Sequence, residues 1–381
     1  MFDAKTFLEP ISTLDRLREQ SPVLRVEALD AWLILRYEDV KRVLQDAQTF
    51  SSEDPSYCAE QIGAPTMLDL DNPRHAQLRT LVQPAFTPRR VAKLADQIGA
   101  LCEEMLDEVE GRGERFDLVD AFSGPLPAIV IAELLGVPRD DFGEFRRLAS
   151  DAIHVGTPDK QEIGVRALRE LNAYYGGILK ERRASGRLGD DIASDLIRAQ
   201  QDGAACSDAD LEAMGGLFLI AGHETTTNLI NNTVRCLSEH PAARDYLREH
   251  PDRMSVLLEE VLRYRSPVLG NFRFTRQAVE LQGVTIPAGA RVLPQLLAAN
   301  HDPRVFSEPG RFIPDRNPKG TLAFGRGIHK CIGERLSKLE ATLALTALYR
   351  RFPTLRVDDE REIIPVESPI IYGCRVLPVR I

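Results

Sequence analysis

A glycine-rich loop that carries a single cysteine leads directly into a helical pattern. This junction constrains the possible folds more than any other stretch of the chain. The loop spans residues 324–333 with the sequence FGRGIHKCIG, and apolar residues then recur at helical spacing as far as Ala347. Cys331 is therefore expected at a helix N-terminus, where unpaired N–H groups and the helix dipole favour a thiolate over a thiol.

The sequence leaves three interpretations of Cys331 open. A lone cysteine is most often a small, buried apolar residue. A zinc site that uses His329 and Cys331 lacks a second Cys/His pair at zinc-finger spacing. A shielded, anionic sulfur also suits haem iron, which a single cysteine thiolate can hold. The glycines of the loop would let a flat ligand approach the backbone closely.

The composition is that of a globular protein with a large core. The 381 residues are 43% hydrophobic and 28% charged, and no Pro-, Ser- or Gly-rich linker divides them, so one domain over residues 1–381 is expected. Six scattered cysteines without a C-x-x-C pair fit a reducing cytoplasm. No signal peptide or long apolar run is recognised, so no membrane association is expected. A net charge of −9 argues against nucleic acid as a partner.

Helical periodicity dominates the chain and predicts a mainly α fold with small β-sheets, in the α+β class. Short strand patterns appear near both ends and before the cysteine loop. The predicted helices cover residues 10–20, 37–48, 69–86, 91–110, 116–135, 208–238 and 252–265, and one follows the loop. The predicted strands cover 23–26, 31–35, parts of 268–294 and parts of 363–381, with loops at 51–68 and 184–190.

The predicted helix 208–238 is far longer than an average helix and should span the molecule. It follows a capping-box pattern at residues 207–210 and stops at the His-Pro pair 240–241. Its middle, AGHETTT over residues 221–227, is poor helix material. Thr225 can donate back to the carbonyl of Ala221 and open the helix, and with Glu224 it can hold water and pass protons. A harmless polar patch explains the same residues.

Two charged pairs at helical spacing each have a functional and a structural interpretation. His75 and Arg79 are four residues apart, so they share a helix face and offer two cationic donors to a carboxylate. A solvated pair is the simpler explanation of these two. Glu260 and Arg263 are three residues apart. This spacing indicates either a surface ion pair that contributes little to folding stability or a buried ion pair.

Together, four stretches resemble the motifs of the cytochrome P-450 family. Residues 324–333 match F-x-x-G-x-[HR]-x-C-x-G at every fixed position, and residues 221–226 match [AG]-G-x-[DE]-T-T. Residues 71–79 match D-x-P-x-H-x-x-x-R, and residues 260–263 match E-x-x-R. The motifs occur in the family's order along nearly the whole chain. The resemblance implies a single-domain P-450 fold with haem b (iron protoporphyrin IX) between the helix 208–238 and the cysteine loop.

The resemblance also implies roles for individual residues. Cys331 is the expected axial ligand of the haem iron, and Glu224 with Thr225 is the expected catalytic pair that delivers protons during oxygen activation. The other expected haem contacts are His75, Arg79, Arg273 and His329 at the propionates, and Ala221, Phe324, Gly325 and Gly333. The expected structural residues are Glu260, Arg263 and Arg316. The expected pocket residues are Ala221, Gly222, Val268, Leu269, Asn271, Phe272, Ile370 and Ile371, with residues 57–68 as a mobile lid.

The implied activity is monooxygenation, in which one oxygen atom from O2 enters a C–H bond or a double bond of an apolar small molecule. A terpenoid, fatty acid, steroid or macrolide of secondary metabolism fits this description. No flavin or nicotinamide motif is present, so a separate electron donor, a small acidic ferredoxin, is expected. It would dock on a basic patch formed by Arg89, Arg90, Lys330, Arg335 and Lys338, although a solvated face explains the same charges.

A monomer is expected.

Two alternatives to the monooxygenase remain open on the sequence. One is a haem-thiolate peroxygenase or isomerase that never uses electrons from a ferredoxin. The other is a non-enzymatic haem-binding or sensor protein. The Glu224-Thr225 pair argues against the first, because proton delivery to dioxygen is the role of this pair in the family.

Overall fold

Helices make up most of the fold and short strands form small sheets, as the sequence predicts. The computed structural model describes residues 4–57, 59–138, 141–152 and 161–381. Within these residues no helix has both the length and the apolar character needed to cross a membrane. The helices are α1 Ala4–Leu8, α2 Ile11–Gln20, α3 Tyr37–Gln45, α4 Ala59–Ile62, α5 Arg74–Val82, α6 Pro88–Ala92, α7 Ala95–Glu110, α8 Pro125–Leu135, α9 Phe142–Ala152, α10 Gln161–Ser185, α11 Ile192–Gln201, α12 Asp208–Glu239, α13 Pro241–Glu249, α14 Met254–Tyr264, α15 Leu296–Asn300 and α16 Glu334–Arg351.

The strands are short and form several small sheets. They are β1 Val23–Val26, β2 Ala31–Ile34, β3 Phe50–Ser51, β4 Arg115–Asp117, β5 Arg273–Thr275, β6 Val279–Leu281, β7 Val284–Ile286, β8 Arg291–Pro294, β9 Arg356–Val357, β10 Ile364–Pro365, β11 Cys374–Val376 and β12 Pro378–Arg380. The largest sheet has the order β1-β2-β8-β5-β3, in which β2 and β8 are parallel and the other neighbours antiparallel. The smaller sheets are β4-β12-β9, β6-β7 and β10-β11.

The two faces of the largest sheet pack into different apolar clusters. Side chains alternate between the faces along each strand, so neighbours in sequence separate. Leu33 of β2 is paired with Leu293 of β8, and both pack with Val26 on one face. Ile34 and Val292 belong to a second cluster, which includes buried residues of α3 and of β6-β7. The sheet is thus buried on both sides.

The chain divides into two compact units. The first consists of Met1–Pro55, Asp96–Ser123 and Thr225–Ile381, and it holds all the strands of the described residues. The second consists of Ser56–Ala95 and Gly124–Glu224, and it is helical in the described residues. This division does not test the expectation of a single domain, which stays a prediction.

In the second unit, α12 crosses α10 closely because glycines lie at the crossing. A Cβ atom at Gly215 would lie 2.0 Å from Cδ1 of Tyr175, and one at Gly216 would lie 2.0 Å from Oδ1 of Asn172. No larger residue fits at either position without displacing its neighbour on α10. The first half of α12 is therefore fixed in position by this contact.

Helix α12 confirms the predicted long helix and its ends. It is 32 residues long and stops before His240-Pro241. At its start the N–H of Asp210 donates to Oγ of Ser207 at 3.1 Å, and the N–H of Ser207 donates to Oδ2 of Asp210 at 2.7 Å. This reciprocal pair is the predicted capping box. The helix is continuous across residues 221–227, and an opened hydrogen bond at Ala221 stays a prediction.

The predicted helix 69–86 begins only at Arg74, and three other predicted elements also differ from the structure. The predicted helix 91–110 is divided into α6 and α7, because the N–H of Lys93 and of Leu94 bond three residues back and tighten the end of α6. The predicted helix 116–135 starts too early, since Phe116 lies in β4 and pairs with Val379 of β12, and α8 begins at Pro125. The predicted loop 51–68 contains α4. Within the expected lid, residue 58 lies outside the described residues.

Candidate active site

The loop before α16 presents the thiol of Cys331 outward. Among the described cysteines Cys331 is the exposed one, whereas Cys102, Cys236 and Cys374 are buried. The N–H of Cys331 donates to the carbonyl of Phe324 at 2.9 Å, and a 3₁₀ turn forms between them at Gly327–His329. The loop therefore closes on its own backbone and leaves the sulfur accessible. This contradicts the interpretation of Cys331 as a small, buried apolar residue.

The glycines of this loop have different reasons to be glycine. Gly325 and Gly327 both have positive φ, at +67° and +72°, which favours glycine. A Cβ atom at Gly327 would lie 2.4 Å from the carbonyl oxygen of Leu44, so that glycine is needed for packing. A Cβ atom at Gly325 or Gly333 would meet its nearest neighbour only at 3.9 Å, and for Gly333 that neighbour is Sγ of Cys331. A side chain at Gly325 or Gly333 would thus meet no close neighbour, and this room along the loop fits a flat cofactor such as haem.

Two expected propionate contacts lie in the first unit. Arg273 is on β5 and is only 4% exposed, and its Nη1 donates to the carbonyl of Phe272 at 2.7 Å. Nε2 of His329 lies 2.9 Å from Oγ of Ser52, which follows β3. The largest sheet therefore helps to position both side chains.

The other two expected propionate contacts lie in the second unit. His75 and Arg79 are one turn apart on α5, so they share a face as predicted. His75 is 2% exposed and Arg79 is partly exposed. The start of α5 is fixed by an ion pair of 2.6 Å between Nη2 of Arg74 and Oδ2 of Asp210, at the start of α12.

The middle of α12 combines buried and accessible residues. Ala221 is exposed and Glu224 and Thr225 are partly exposed, whereas His223 and Thr226 are buried. Positions i, i+3 and i+4 share one helix face, so the accessible residues form a stripe. Ala221, Glu224 and Thr225 therefore lie on one accessible stripe of α12.

Gly222 packs against the neighbouring helix of the second unit. A Cβ atom at this position would lie 2.8 Å from Cγ1 of Ile131 on α8. Gly222 therefore has a packing reason to be glycine, besides the place in the substrate pocket that the sequence suggested.

Two of the expected pocket segments are neighbours in the first unit. The N–H of Leu269 donates to the carbonyl of Ile370 at 2.8 Å, and Val268 forms an isolated antiparallel bridge with Ile371. Phe272 and Ile370 both pack against the cluster of Leu33 and Leu293. Asn271, Phe272, Ile370 and Ile371 are partly exposed. The two segments form one continuous, mostly apolar wall.

A buried ion network joins α14 to the segment that precedes the cysteine loop. The side chains of Glu260 and Arg263 are 0% exposed, and Nε and Nη2 of Arg263 donate to the two carboxylate oxygens at 2.8 and 2.9 Å. Nε of Arg316 also donates to Glu260 Oε1, at 2.9 Å. Arg263 further donates to the carbonyls of Pro309 at 2.8 Å and Asn300 at 3.2 Å. The pair is therefore buried, and its hydrogen bonds hold α14 against the segment of residues 300–316.

The basic patch predicted near the cysteine loop is largely neutralised. Nζ of Lys338 lies 2.7 Å from Glu259 and 2.9 Å from Glu334, and Lys330 lies 2.7 Å from Glu334. Burial alone would lower the pKa of Lys338, but these hydrogen bonds raise it above its ordinary value. Arg335 is exposed and has no ion-pair partner among the described residues. In the first unit, Arg335 is thus the patch cation whose charge remains uncompensated.

In the second unit, one patch residue is paired and the other is exposed. Arg90 makes ion pairs with Asp190 at 2.9 Å and with Asp195 at 2.7 Å. Arg89 is exposed. The count of basic residues in the sequence therefore overstates the free positive charge here as well.

The structure adds two side chains that the sequence did not single out. Ser52 contacts His329 across 277 residues of chain. Ser337 of α16 accepts a hydrogen bond from Oγ1 of Thr226 at 3.1 Å, across 111 residues. Ser52 thus contacts a predicted propionate residue, and Ser337 contacts the neighbour of the predicted catalytic Thr225. No local sequence pattern predicts the roles of these two serines, because serine is common and both contacts depend on the fold.

Comparisons with known proteins agree on one family. The model of the family "Cytochrome P450" matches residues 254–373. The chain is 38% identical to the erythromycin C-12 hydroxylase of Saccharopolyspora erythraea, over 100% of this chain and 95% of that protein. It is 38% identical to the cytochrome P450 monooxygenase PikC of Streptomyces venezuelae, over 98% and 91%.

Solved structures give the same result. The crystal structure of CYP109E1 from Bacillus megaterium in complex with testosterone matches with a TM-score of 0.93 and 35% identity, and the match covers 99% of both chains. The described residues therefore have the fold of known cytochrome P450 structures.

Proposed function

This chain belongs to the cytochrome P450 family of haem-thiolate monooxygenases, and from that premise we propose that Cys331 supplies the thiolate ligand of the haem iron. The exposed sulfur of Cys331, beside open space at Gly325 and Gly333, is the observation that carries this proposal. The hydroxylases among the relatives favour a monooxygenase over a peroxygenase, an isomerase or a non-enzymatic haem protein.

The residues proposed to contact the haem fall into two groups: basic residues at the propionates, and small or apolar residues along the ring. His75, Arg79, Arg273 and His329 would donate to the propionates, since hydrogen bonds from cationic donors to carboxylates are strong. Their own positions support this, because His75 and Arg273 are buried and His329 contacts Ser52. Phe324, Gly325, Gly333 and Ala221 would lie along the ring. Glu260, Arg263 and Arg316 would hold the preceding segment in place.

The thiolate-ligated haem, when bound, supplies the activation of dioxygen from which one oxygen atom enters the substrate. The chain must then provide protons and exclude free water. Glu224 and Thr225 are adjacent on α12 and partly exposed on the stripe that begins at Ala221. A carboxylate beside a hydroxyl can hold a water molecule and pass a proton along it. We assign proton delivery to this pair.

Replacing Thr225 with alanine should uncouple electron use from product formation. The change removes the hydroxyl and leaves the helix intact, so reductant is still consumed while product falls by about 100-fold, the lower end of the contribution of a positioned proton donor. The product formed per reductant consumed measures the effect. Thr225→Ser keeps the hydroxyl and should retain most of the coupling. Equal coupling in the parent and in Thr225→Ala would refute the role.

Monooxygenases of this family receive electrons from a redox partner. We propose a small acidic ferredoxin that docks near the cysteine loop and relies on Arg335. Two nearby lysines already pair with Glu334, and Lys338 pairs also with Glu259. A free surface charge mainly affects the rate of encounter with a charged partner.

Charge reversal at Arg335 should weaken the ferredoxin interaction several-fold at low salt, with little effect at high salt. The apparent KM for ferredoxin at two ionic strengths measures this. Arg112→Glu serves as the control, since Arg112 is a surface residue that pairs with Asp120. The patch hypothesis fails if Arg335→Glu changes neither the KM nor its salt dependence.

The substrate proposed is an apolar small molecule of the size of a macrolide or steroid. The wall formed by Val268, Leu269 and Phe272 with Ile370 and Ile371 is mostly apolar, which supports this class. Two relatives are named erythromycin C-12 hydroxylase and 6-deoxyerythronolide B hydroxylase, and one similar structure is a complex with testosterone. A titration of the Soret band with macrolides, steroids and terpenoids tests the proposal. A shift from low to high spin identifies a ligand, and no shift across the panel contradicts the class.

We further propose that the chain acts as a monomeric single domain over residues 1–381 in the cytoplasm. The described cysteines form no disulfide, which fits a reducing compartment. Light scattering of the haem-loaded protein over a range of concentrations measures its mass. A mass of two chains or more would contradict the monomer.

A further inference from the structure

Arg291 lies at the edge of the apolar wall with hydrogen-bonding capacity that the protein does not use. Its guanidinium lies 3.5 Å from the centre of the Phe272 ring. Nε is buried and has no hydrogen-bond partner among the described residues. Nη1 makes one long contact of 3.5 Å with the carbonyl of Leu29. Each buried donor without a partner calls for an explanation.

The charge of Arg291 is also uncompensated. It has no ion-pair partner in the part of the chain that the structure describes, whereas the buried Arg263 and Arg265 both have carboxylate partners. Asp54 and Asp30 are the acids whose field reaches Arg291, but neither forms an ion pair with it, and Asp30 is already paired with Arg25. Burial lowers the pKa of Arg291, yet a guanidinium stays protonated in proteins. A full positive charge therefore remains at this place.

The position of Arg291 relates it to the proposed pocket. Arg291 and Leu293 are two residues apart on β8, so their side chains leave the sheet on the same face. That face carries the cluster of Leu33 and Leu293, against which Phe272 and Ile370 pack. The cation thus borders the wall that was assigned to the substrate, and all of these residues belong to the first unit.

Stacking on Phe272 explains only part of this arrangement. A cation–π contact satisfies the face of the guanidinium. In the plane of the guanidinium it leaves Nε without an acceptor, and Nη1 has only the long contact with the carbonyl of Leu29. A carboxylate is the partner that fits this remaining edge, because its two oxygens accept two parallel N–H bonds. A neutral ligand group would supply an acceptor but would leave the charge uncompensated.

We propose that Arg291 binds a carboxylate of the substrate, so that the natural substrate is an apolar molecule with an acid group at one end. The inference rests on the proposed function, since it assumes that the wall of Phe272 and Ile370 lines the substrate pocket. The apolar body lies along this wall, and the fixed acid end sets which carbon is presented for oxidation. Cationic substrates are disfavoured by like charge.

The test uses three acids of different shape, each compared with its own methyl ester. Tetradecanoic acid, cholanic acid and abietic acid are titrated into the haem-loaded protein, and spin-state shifts give the dissociation constants. At least one acid should bind about 10- to 100-fold more tightly than its ester, the range expected for a charge-assisted hydrogen bond. Arg291→Gln should remove that preference and leave the affinity for the ester within about two-fold of the parent.

Further variants keep the result interpretable. Arg291→Lys retains the charge without the planar fork, so it should keep part of the preference. Arg112→Gln removes the same charge from a surface pair with Asp120 and should change nothing. The unfolding midpoint of each variant shows that it is folded. If Arg291→Gln does not fold, the comparison of the parent with Arg291→Lys still measures how much the Arg291 guanidinium contributes to binding of the carboxylate.

Three outcomes overturn the proposal: no acid binds better than its ester in the parent, no acid binds at all, or the preference survives Arg291→Gln. These results differ from a failure of the proposed function. The carbon-monoxide spectrum of the reduced protein reports thiolate ligation without any substrate. Spin shifts with neutral ligands report the pocket without a carboxylate.

Discussion

Replacing Cys331 with histidine is expected to abolish the thiolate signature in the carbon-monoxide spectrum of the reduced protein. Imidazole is a neutral nitrogen ligand, so it does not push electron density to the iron as a thiolate does. Product formation should fall by at least about 100-fold, since loss of a mere outer-shell partner of a metal site costs about 10–100-fold. Absorption spectra and turnover with a redox partner measure the two effects.

A second cysteine variant controls for general damage. Cys206 is partly exposed, and its Sγ donates to the carbonyl of Ala204 at 3.7 Å. Cys206→Ala should keep both the spectrum and the activity. If the thiolate spectrum persists in Cys331→His, another cysteine holds the iron and the assignment is wrong. Haem content, measured for each variant, separates a lost ligand from a lost cofactor.

The parts of the fold that could be predicted are those written in short stretches of sequence. The capping box at Ser207 and Asp210 involves residues three apart, and the structure forms it. The stop at His240-Pro241 is equally local, because a proline removes a donor and ends the preceding helix. For the same reason the bounds of α12 and α14 were predictable to within about two residues.

The parts that could not be predicted depend on distant segments. The apolar spacing around Phe116 predicted a helix, but Phe116 pairs with Val379, more than 260 residues away. Strand pairing with a distant segment overrides a weak local preference. Ser52 next to His329 is another such case. The unsatisfied Nε of Arg291 becomes visible only when β8 and the segment of Phe272 are packed together. Sequence spacing carries no information on such contacts.

The E-x-x-R pair lies between these cases. Spacing predicted that Glu260 and Arg263 would meet, since residues three apart on a helix are neighbours. It could not tell a surface pair from a buried one, because burial is provided by the segment from Asn300 to Arg316. The two alternatives differ greatly in energy. Because the structure shows that the Glu260–Arg263 pair is buried, it predicts a large loss of stability when one partner is removed.

Replacing Glu260 with glutamine is expected to destabilise the protein by about 3–5 kcal/mol, as for other buried ion pairs that lose one partner. The side chains of Glu260 and Arg263 are both fully buried, so the variant leaves the Arg263 guanidinium charged and uncompensated. It also weakens the bond from Arg316 and the acceptance of the Ile313 N–H, which bonds to Glu260 at 3.0 Å. Urea unfolding of the haem-loaded protein, followed by circular dichroism, measures the loss.

A matched control exists in the same segment of the chain. Glu308 and Arg311 also form a pair three residues apart, but their side chains are 57% and 68% exposed. Water solvates either partner when the other is removed, so Glu308→Gln should shift the unfolding midpoint only slightly. Equal shifts in the two variants would mean that burial does not determine the value of the Glu260 pair. If Glu260→Gln instead unfolds much more easily while Glu308→Gln does not, the network ties α14 to the segment that leads into the cysteine loop, and its loss should also lower haem retention.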